Sequence, residues 1–242
     1  MDNRFFNAHH SPIGAFASFT LGFRGAKGGL GLELKKPADQ SVFIGLQSAE
    51  GDFYEALPFF QCGEDATKSF DVLKEDEGND KIILPQIRMF ENEKIRREFK
   101  TATDTWYAGD LTFKVYSPVR PVPNPAAASE FEIKSALIPA VFAEMTIDNT
   151  KGKKPRRAFF GYENTEPCSG MRRLDDSAGG KITGVGEGRR TAIASRAGSA
   201  KSAVGFTFET ILSQRCEVNW ACILGNYGTL IMDVPAGEKV TF

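Results

Sequence analysis

Hydrophobic and polar residues alternate along much of this chain with a period of two residues. The alternation is clear in residues 30–34, 42–46 and 141–147. This is the pattern of β-strands that bury one face and expose the other. Ala108-Gly109-Asp110 separates two further alternating runs and predicts a hairpin turn. Late strands are predicted at residues 204–208, 218–224 and 229–234.

Helix signals are sparse by comparison. Residues 126–137 follow a proline-rich stretch and form the best helix candidate. Residues 91–99 fit either a helix or a strand, and the threonines that follow favour the strand. Many short strands without strand–helix alternation predict a mainly all-β chain, an antiparallel β-sandwich with one or two short helices. We expect residues 1–242 to form a single domain.

Composition excludes several classes of function. The 242 residues carry a formal net charge of -1 and are 41% hydrophobic. Near-neutral charge argues against a nucleic-acid partner, which needs clustered Lys and Arg. No apolar run is long enough to cross a membrane, and the first residues do not resemble a signal peptide. We therefore expect a cytoplasmic protein.

The sequence offers little support for a metal or cofactor site. The four cysteines form no C-x-x-C pair, and the chain has two histidines, so neither a metal ion nor a cofactor is expected. The stretch from Gly184 to Gly188 fits neither phosphate-binding motif and predicts a glycine-rich turn or bulge. Glu163, Asp175 and Asp176 are candidate acids, but the sequence does not place any two of them as a catalytic carboxylate pair, and acids in loops are usually solvated.

The richest chemistry lies near the start of the chain. His9 and His10, the two histidines, are followed by Phe16, Phe19 and Phe23 and by a glycine-rich stretch. Two interpretations stay open: loop histidines satisfied by backbone contacts, or imidazoles that bind a polyhydroxylated ligand beside stacking rings. A dyad of Ser11 and His10 is disfavoured, because adjacent strand residues point to opposite faces.

Six collinear blocks carry a resemblance to a known family. The blocks are residues 5–23, 102–113, 144–150, 156–161, 171–173 and 233–239. In this order they resemble the N-terminal region of the glycoside hydrolase family 52 β-xylosidases, along essentially the whole chain.

The resemblance implies a retaining enzyme that removes xylose from the non-reducing end of xylo-oligosaccharides. Family members join an N-terminal β-sandwich to a C-terminal (α/α)6 barrel, and their catalytic Glu and Asp lie beyond the position of Phe242. No residue of this chain inherits a catalytic role. We expect His9, His10, Phe16, Phe19 and Phe23 to lie near the sugar site of the complete enzyme. A homodimer is also expected.

Two hypotheses follow. In the first, the chain is the truncated N-terminal sandwich of a β-xylosidase, which supports the missing barrel and is inactive alone. In the second, it is a free-standing carbohydrate-binding or structural β-sandwich. An in-frame downstream helical region carrying Glu and Asp supports the first, and a stop codon after Phe242 supports the second.

Overall fold

Two β-sheets packed against each other form the centre of the fold. The computed structural model describes residues 4–11, 17–32, 37–61, 84–117, 121–166, 169–174, 180–188, 190–196, 198–213 and 225–242. The five-stranded sheet contains, in spatial order, Lys239–Thr241 (β17), Phe142–Asp148 (β10), Leu111–Tyr116 (β9), Thr103–Ala108 (β8) and Ile95–Lys100 (β7). The six-stranded sheet contains Lys201–Gly205 (β15), Tyr227–Val234 (β16), Arg156–Glu163 (β11), Val42–Gln47 (β4), Phe53–Ala56 (β5) and Gln86–Met89 (β6).

Two smaller sheets and two short helices complete the described fold. One small sheet contains Ala8–His10 (β1), Ala17–Leu21 (β2) and Gly29–Leu32 (β3), and the other contains Met171–Arg173 (β12), Ile182–Glu187 (β13) and Thr191–Arg196 (β14). The helices are Glu130–Ala136 (α1) and Phe208–Ser213 (α2), and a short 3-10 helix spans Asn92–Lys94. The named strands pair antiparallel except for β5 with β6, so the prediction of a mainly antiparallel β fold is confirmed.

The main core lies between the two large sheets. Trp106 of β8 is fully buried and meets Phe59 edge-on, with ring centroids 4.8 Å apart. Phe113 of β9 and Phe160 of β11 join the sheets, with their centroids 5.4 Å apart. Burying a large apolar side chain of this kind contributes about 1.5–3 kcal/mol to folding. The period-two pattern therefore reflects one face of each strand turned toward this core.

The six-stranded sheet is buried on its second face as well. Phe43 stacks on Phe208 of α2 with centroids 4.2 Å apart, and Phe159 of β11 meets Phe208 edge-on at 5.2 Å. Helix α2 therefore covers the side of this sheet that faces away from the main core. Burial on both faces explains why β11 is apolar at consecutive positions rather than at alternate ones.

The helix expected at residues 126–137 is present but shorter. It begins after Ser129, whose hydroxyl accepts from the Glu132 N–H while the Glu132 carboxylate accepts from the Ser129 N–H. This capping box pairs two N–H groups that a helix start leaves free. Helix α1 buries none of its residues, and Phe131 is 79% exposed.

Two late expectations need correction. The glycine-rich stretch at Gly184 belongs to β13, and the turn begins only at Gly188, whose φ is +58°. A Cβ at Gly184 would lie 2.8 Å from the Ile193 carbonyl oxygen, so glycine here allows close strand pairing. The strand expected at residues 204–208 instead ends at Gly205, and α2 begins at Phe208.

The other strand predictions have mixed outcomes. The hairpin turn at Gly109 is confirmed between β8 and β9, and its φ of +56° suits glycine. The strand favoured for residues 91–99 is confirmed from Ile95 onward. The strand expected at residues 218–224 lies outside the described residues.

Candidate functional site

The two histidines lie on opposite faces of β1. His9 pairs with Thr20 of β2 and His10 pairs with Phe19, so His10 and Phe19 share one face. The His9 ring is exposed, and its Nδ1 lies 2.8 Å from the Thr20 hydroxyl oxygen. The His10 side chain is buried, with the residue 3% exposed. The adjacent imidazoles therefore face different surroundings.

His10 belongs to a buried polar network that crosses from β1 to the five-stranded sheet. Its Nε2 lies 3.2 Å from Asp104 Oδ2 and its Nδ1 lies 2.8 Å from the Ser117 hydroxyl oxygen. A carboxylate oxygen can only accept a hydrogen bond, so Nε2 donates to Asp104, while Nδ1 shares a hydrogen bond with the Ser117 hydroxyl. The imidazole thereby uses both nitrogens in contacts within the protein.

Arg97 completes this network. Its Nε donates to Asp104 Oδ1 at 2.8 Å and its Nη2 donates to Oδ2 at 2.6 Å, in a bidentate pair buried on both sides. Burial by itself raises the pKa of Asp104, but the hydrogen bonds from His10 and Arg97 and the Arg97 charge outweigh it. The pKa of Asp104 is therefore lowered.

Arg97 also fastens the start of the chain to the sheet. Its Nη1 donates to the carbonyl oxygens of Arg4 at 3.1 Å and of Phe6 at 2.7 Å. Its guanidinium lies over the Trp106 ring at 4.3 Å and the Phe6 ring at 4.0 Å. The network formed by His10, Arg97, Asp104 and Ser117, hereafter the N-terminal anchor, positions β1 against β7 and β8.

The order Ser117, His10, Asp104 is that of a nucleophilic serine site, but its surroundings fit an anchor better. Arg97 compensates the charge of Asp104. The His10 ring, which lies between Ser117 and Asp104, is almost fully buried. Ser11, the neighbour that sequence reasoning considered, instead donates to the Ala17 carbonyl at 2.7 Å. The argument against a dyad of Ser11 and His10 thus agrees with the geometry.

A cavity of about 420 Å³ opens between the two large sheets, beside β2, β3 and β14. Aromatic and aliphatic side chains dominate its wall: Phe19, Phe113, Phe160, Phe242, Leu230 and Met232. The residues on its wall also include Glu144 and Arg190. Glu144 accepts from the Tyr116 hydroxyl, and Arg190 pairs with Glu166. Cavities of this volume hold small molecules or the side chains of another segment.

The five residues expected near a sugar site are therefore spread over several environments. His9 is exposed on β1, His10 is in the N-terminal anchor, and Phe19 lines the cavity. Phe23 is 54% exposed, and its N–H donates to Asn7 Oδ1 at 3.0 Å. Phe16 lies outside the described residues.

The acids singled out in the sequence do not form a visible pair. Glu163 lies 3.4 Å from Lys27 Nζ and accepts from the Ser41 N–H at 3.2 Å. Asp175 and Asp176 lie outside the described residues, as do all four cysteines. Among the described residues, no group of three or more His, Cys, Asp and Glu is arranged to hold a metal ion. No helix in the described ranges has the length and apolar character needed to cross a bilayer.

Comparison with known proteins decides the family. The family model "Glycosyl hydrolase family 52" matches residues 19–242. The chain belongs to glycosyl hydrolase family 52. This confirms the resemblance carried by the six sequence blocks. The N-terminal anchor and the cavity are therefore features of a chain of this glycoside hydrolase family.

Two curated proteins of Geobacillus stearothermophilus, each named beta-xylosidase, are similar to this family 52 chain. One is 53% identical over 244 residues, which cover 99% of this chain and 34% of the relative. The other is 41% identical over 251 residues, which cover 99% of this chain and 40% of the relative. The chain therefore spans about a third to two-fifths of the length of these relatives.

Proposed function

We propose that this chain is the N-terminal β-sandwich of a retaining β-xylosidase that removes terminal xylose from xylo-oligosaccharides. In this proposal the sandwich supports a helical catalytic barrel and helps to shape the sugar pocket. The observation that carries it is the similarity to two β-xylosidases along 99% of the chain. The chain's share of their lengths leaves room for a catalytic part outside residues 1–242.

The proposal gives the two histidines different roles. His9 is exposed beside Thr20, so its ring is available to hydrogen-bond a sugar hydroxyl. His10 is buried, so it acts as a positioning residue that holds β1 through Asp104 and Ser117. Phe16, Phe19 and Phe23 stay part of the proposed sugar-side surface as the rings that follow these histidines in the sequence.

The chain is proposed to be inactive alone. Retaining glycosidases need two carboxyl groups about 5–5.5 Å apart, one of them protonated to act as the acid. Asp104 has a lowered pKa and a bidentate Arg97 partner, which keeps it ionised and inside the anchor. Glu163 is engaged with Lys27 and the Ser41 N–H. These contacts favour structural roles for both acids.

Hydrolysis of an aryl β-xyloside tests this function. The full-length protein is expected to release the phenol, and the purified 242-residue chain is expected to release none above buffer. A full-length protein that cleaves no xyloside contradicts the proposed activity. Hydrolysis by the short chain that disappears on Glu163→Gln, but persists in a Lys239→Ala control, contradicts the proposed inactivity.

A further inference from the structure

The turn that follows β2 presents an exposed aromatic ring from a fixed backbone. Phe23 is 54% exposed, and the turn contains two glycines with positive φ, Gly22 at +131° and Gly25 at +66°. The Gly25 N–H donates to the Pro58 carbonyl at 2.7 Å, and the Ala26 N–H donates to the Phe23 carbonyl at 3.4 Å. The backbone that carries the ring is therefore ordered before any ligand binds, which lowers the entropic cost of binding.

Asn7 joins this turn to the start of β1. Its Oδ1 accepts from the Phe23 N–H at 3.0 Å, which uses the acceptor side of the amide. The donor side of the amide, Nδ2, has no hydrogen-bond partner in the part of the chain that the structure describes. Asn7 is exposed, so its two side-chain N–H groups are available to a ligand.

His9 lies on the same exposed side of the chain as Asn7. The two residues are exposed on either side of Ala8, which is buried. Alternate residues of an extended chain share one face and lie about 7 Å apart along it. The His9 Nδ1 contacts the Thr20 hydroxyl, and no other described group hydrogen-bonds the ring, so Nε2 is left for a ligand.

The chemistry of these three side chains favours an uncharged ligand that is rich in hydroxyl groups. An amide and an imidazole exchange hydrogen bonds with hydroxyls, and an aromatic face packs against C–H groups. The two cations that follow Phe23 already have partners, because Arg24 donates to Asn92 Oδ1 and Lys27 lies 3.4 Å from Glu163. A phosphate or carboxylate ligand would compete for those cations, whereas a sugar does not need them.

We propose that Asn7, His9 and Phe23 form a sugar-binding surface that holds a xylose unit of a xylo-oligosaccharide in this chain by itself. The Phe23 ring packs against the C–H face of the sugar, while the Asn7 amide and the His9 Nε2 hydrogen-bond its hydroxyls. The choice of xylose rests on the proposed function. The uncharged, hydroxyl-rich class of ligand rests on the contacts of the three side chains.

Titration of the isotope-labelled 242-residue chain with xylotriose, followed by NMR, tests this surface. The side-chain amide of Asn7 and the ring of His9 are expected to shift together with one Kd of about 1–10 mM, as for a small ligand on an open surface. Asn124 is the matched control, because its Oδ1 also accepts from a backbone N–H, that of Ala126 at 3.0 Å. No shift at Asn7, or an equal shift at Asn124, overturns the proposal.

Removal of the ring tests the stacking contact. Phe23→Ala is expected to weaken xylotriose binding at least about tenfold. Phe131→Ala is the matched control, because it removes a ring that is 79% exposed on α1. Unchanged binding in Phe23→Ala, or an equal loss in Phe131→Ala, contradicts the role of Phe23. Denaturant unfolding of each variant checks that it remains folded.

Asn7→Asp separates the two sides of the Asn7 side chain. The aspartate keeps an oxygen that accepts from the Phe23 N–H, but it has no N–H group to donate to a sugar. We expect xylotriose binding to weaken by about 2–10-fold, while the turn signals of Phe23 keep their positions. Binding at full strength in Asn7→Asp contradicts the donation from Asn7.

The titration does not depend on catalysis. Hydrolysis of an aryl β-xyloside by the full-length protein without xylotriose binding by the chain supports the proposed function and overturns the sugar-binding surface, whereas binding without hydrolysis has the opposite meaning. Inorganic phosphate that shifts the same signals at lower concentration than xylotriose contradicts the uncharged ligand. Signals that move with protein concentration alone identify a second copy of the chain as the occupant and also overturn the proposal.

Discussion

The two sides of the five-stranded sheet, at β7 and at β10 with β17, make different contacts with the rest of the chain. At the β7 edge, Arg97 binds the carbonyl oxygens of Arg4 and Phe6, and Arg4 donates to the Asn92 carbonyl at 2.8 Å. At the opposite side, β17 covers only part of β10, and the rest borders a cavity. The comparison teaches that buried charge holds the N-terminal residues against β7 and β8, whereas on the opposite side the described residues pair with only part of β10.

The largest effect is expected at the β7 edge. Arg97→Ala leaves the buried Asp104 carboxylate without its cation, and loss of one partner of a buried ion pair costs about 3–5 kcal/mol. Denaturant unfolding of the 242-residue chain measures this loss. Lys100→Ala, which removes the exposed pair with Glu98, is the matched control with little expected change. Equal effects of the two substitutions would show that Arg97 does not hold this edge.

His10→Ala is expected to have the next largest effect. The change removes the hydrogen bonds to Asp104 and Ser117 at a buried site, at a cost of about 1–3 kcal/mol. Urea unfolding of the same chain provides the measurement. His9→Ala, which removes an exposed ring with a Thr20 contact, serves as the comparison. A larger loss for His9→Ala than for His10→Ala would reverse the roles assigned to the two histidines.

The β7 edge should also weaken in acid. The pKa of Asp104 in the folded protein lies below its ordinary value of 3.8, so the unfolded chain binds the proton more readily. The stability that Asp104 contributes is therefore fully present when the pH is above its ordinary pKa. It is lost as the pH falls through the lowered pKa of the folded protein. Between about pH 5 and about pH 2, the free energy of unfolding is expected to fall more steeply with decreasing pH for the wild type than for Asp104→Asn. Identical pH slopes would exclude this source of acid sensitivity.

His9→Ala tests the surface beside the anchor. In the full-length enzyme the loss of one sugar hydrogen bond of about 0.5–1.5 kcal/mol raises the KM for a xyloside by about 2–10-fold. Steady-state kinetics measure the change, and Thr20→Val, which removes the hydroxyl beside His9, separates a ring effect from an orientation effect. Unchanged kinetics in His9→Ala would remove His9 from the sugar-side surface.

The smallest effect is expected at Phe142, on the outer part of β10. Phe142→Ser alters an exposed side chain, so the unfolding free energy of the 242-residue chain should change by no more than about 0.5 kcal/mol. Phe113→Ser, on the buried side of β9, is the contrasting variant and should be strongly destabilising. A large loss for Phe142→Ser would show that this edge is already covered in the short chain.

Local pattern was enough to predict much of the fold. Strands β9 and β10 each place alternate residues toward one core, so their period is visible without knowledge of their partners. The turn at Gly109 has a local cause in its positive φ. The sequence predicts a turn at Gly184, but this glycine lies within β13 and allows a close approach to Ile193. The local sequence contains no information about that neighbour.

The candidate site was harder to predict for the same reason. His10 was recognised as chemically important, but its partners Asp104 and Ser117 lie 94 and 107 residues away. Asp104 and Arg97 also resemble ordinary polar residues of alternating strands until β7 and β8 are paired. His9 and His10 face opposite ways because they are adjacent residues of one strand. Which of the two is buried depends on the sheet that packs against β1.

The long reach of the N-terminal anchor has a consequence for synthesis of the protein. Residues 4–10 leave the ribosome before β7 and β9, because the Arg97 and Ser117 side chains that hold them are made about a hundred residues later. Contacts of such high sequence separation form slowly, because a long loop must close before they contribute. Residues 4–10 are therefore fixed in place only after β7 and the residues that follow β9 have been made, and until then the buried charge of Asp104 lacks its His10 partner.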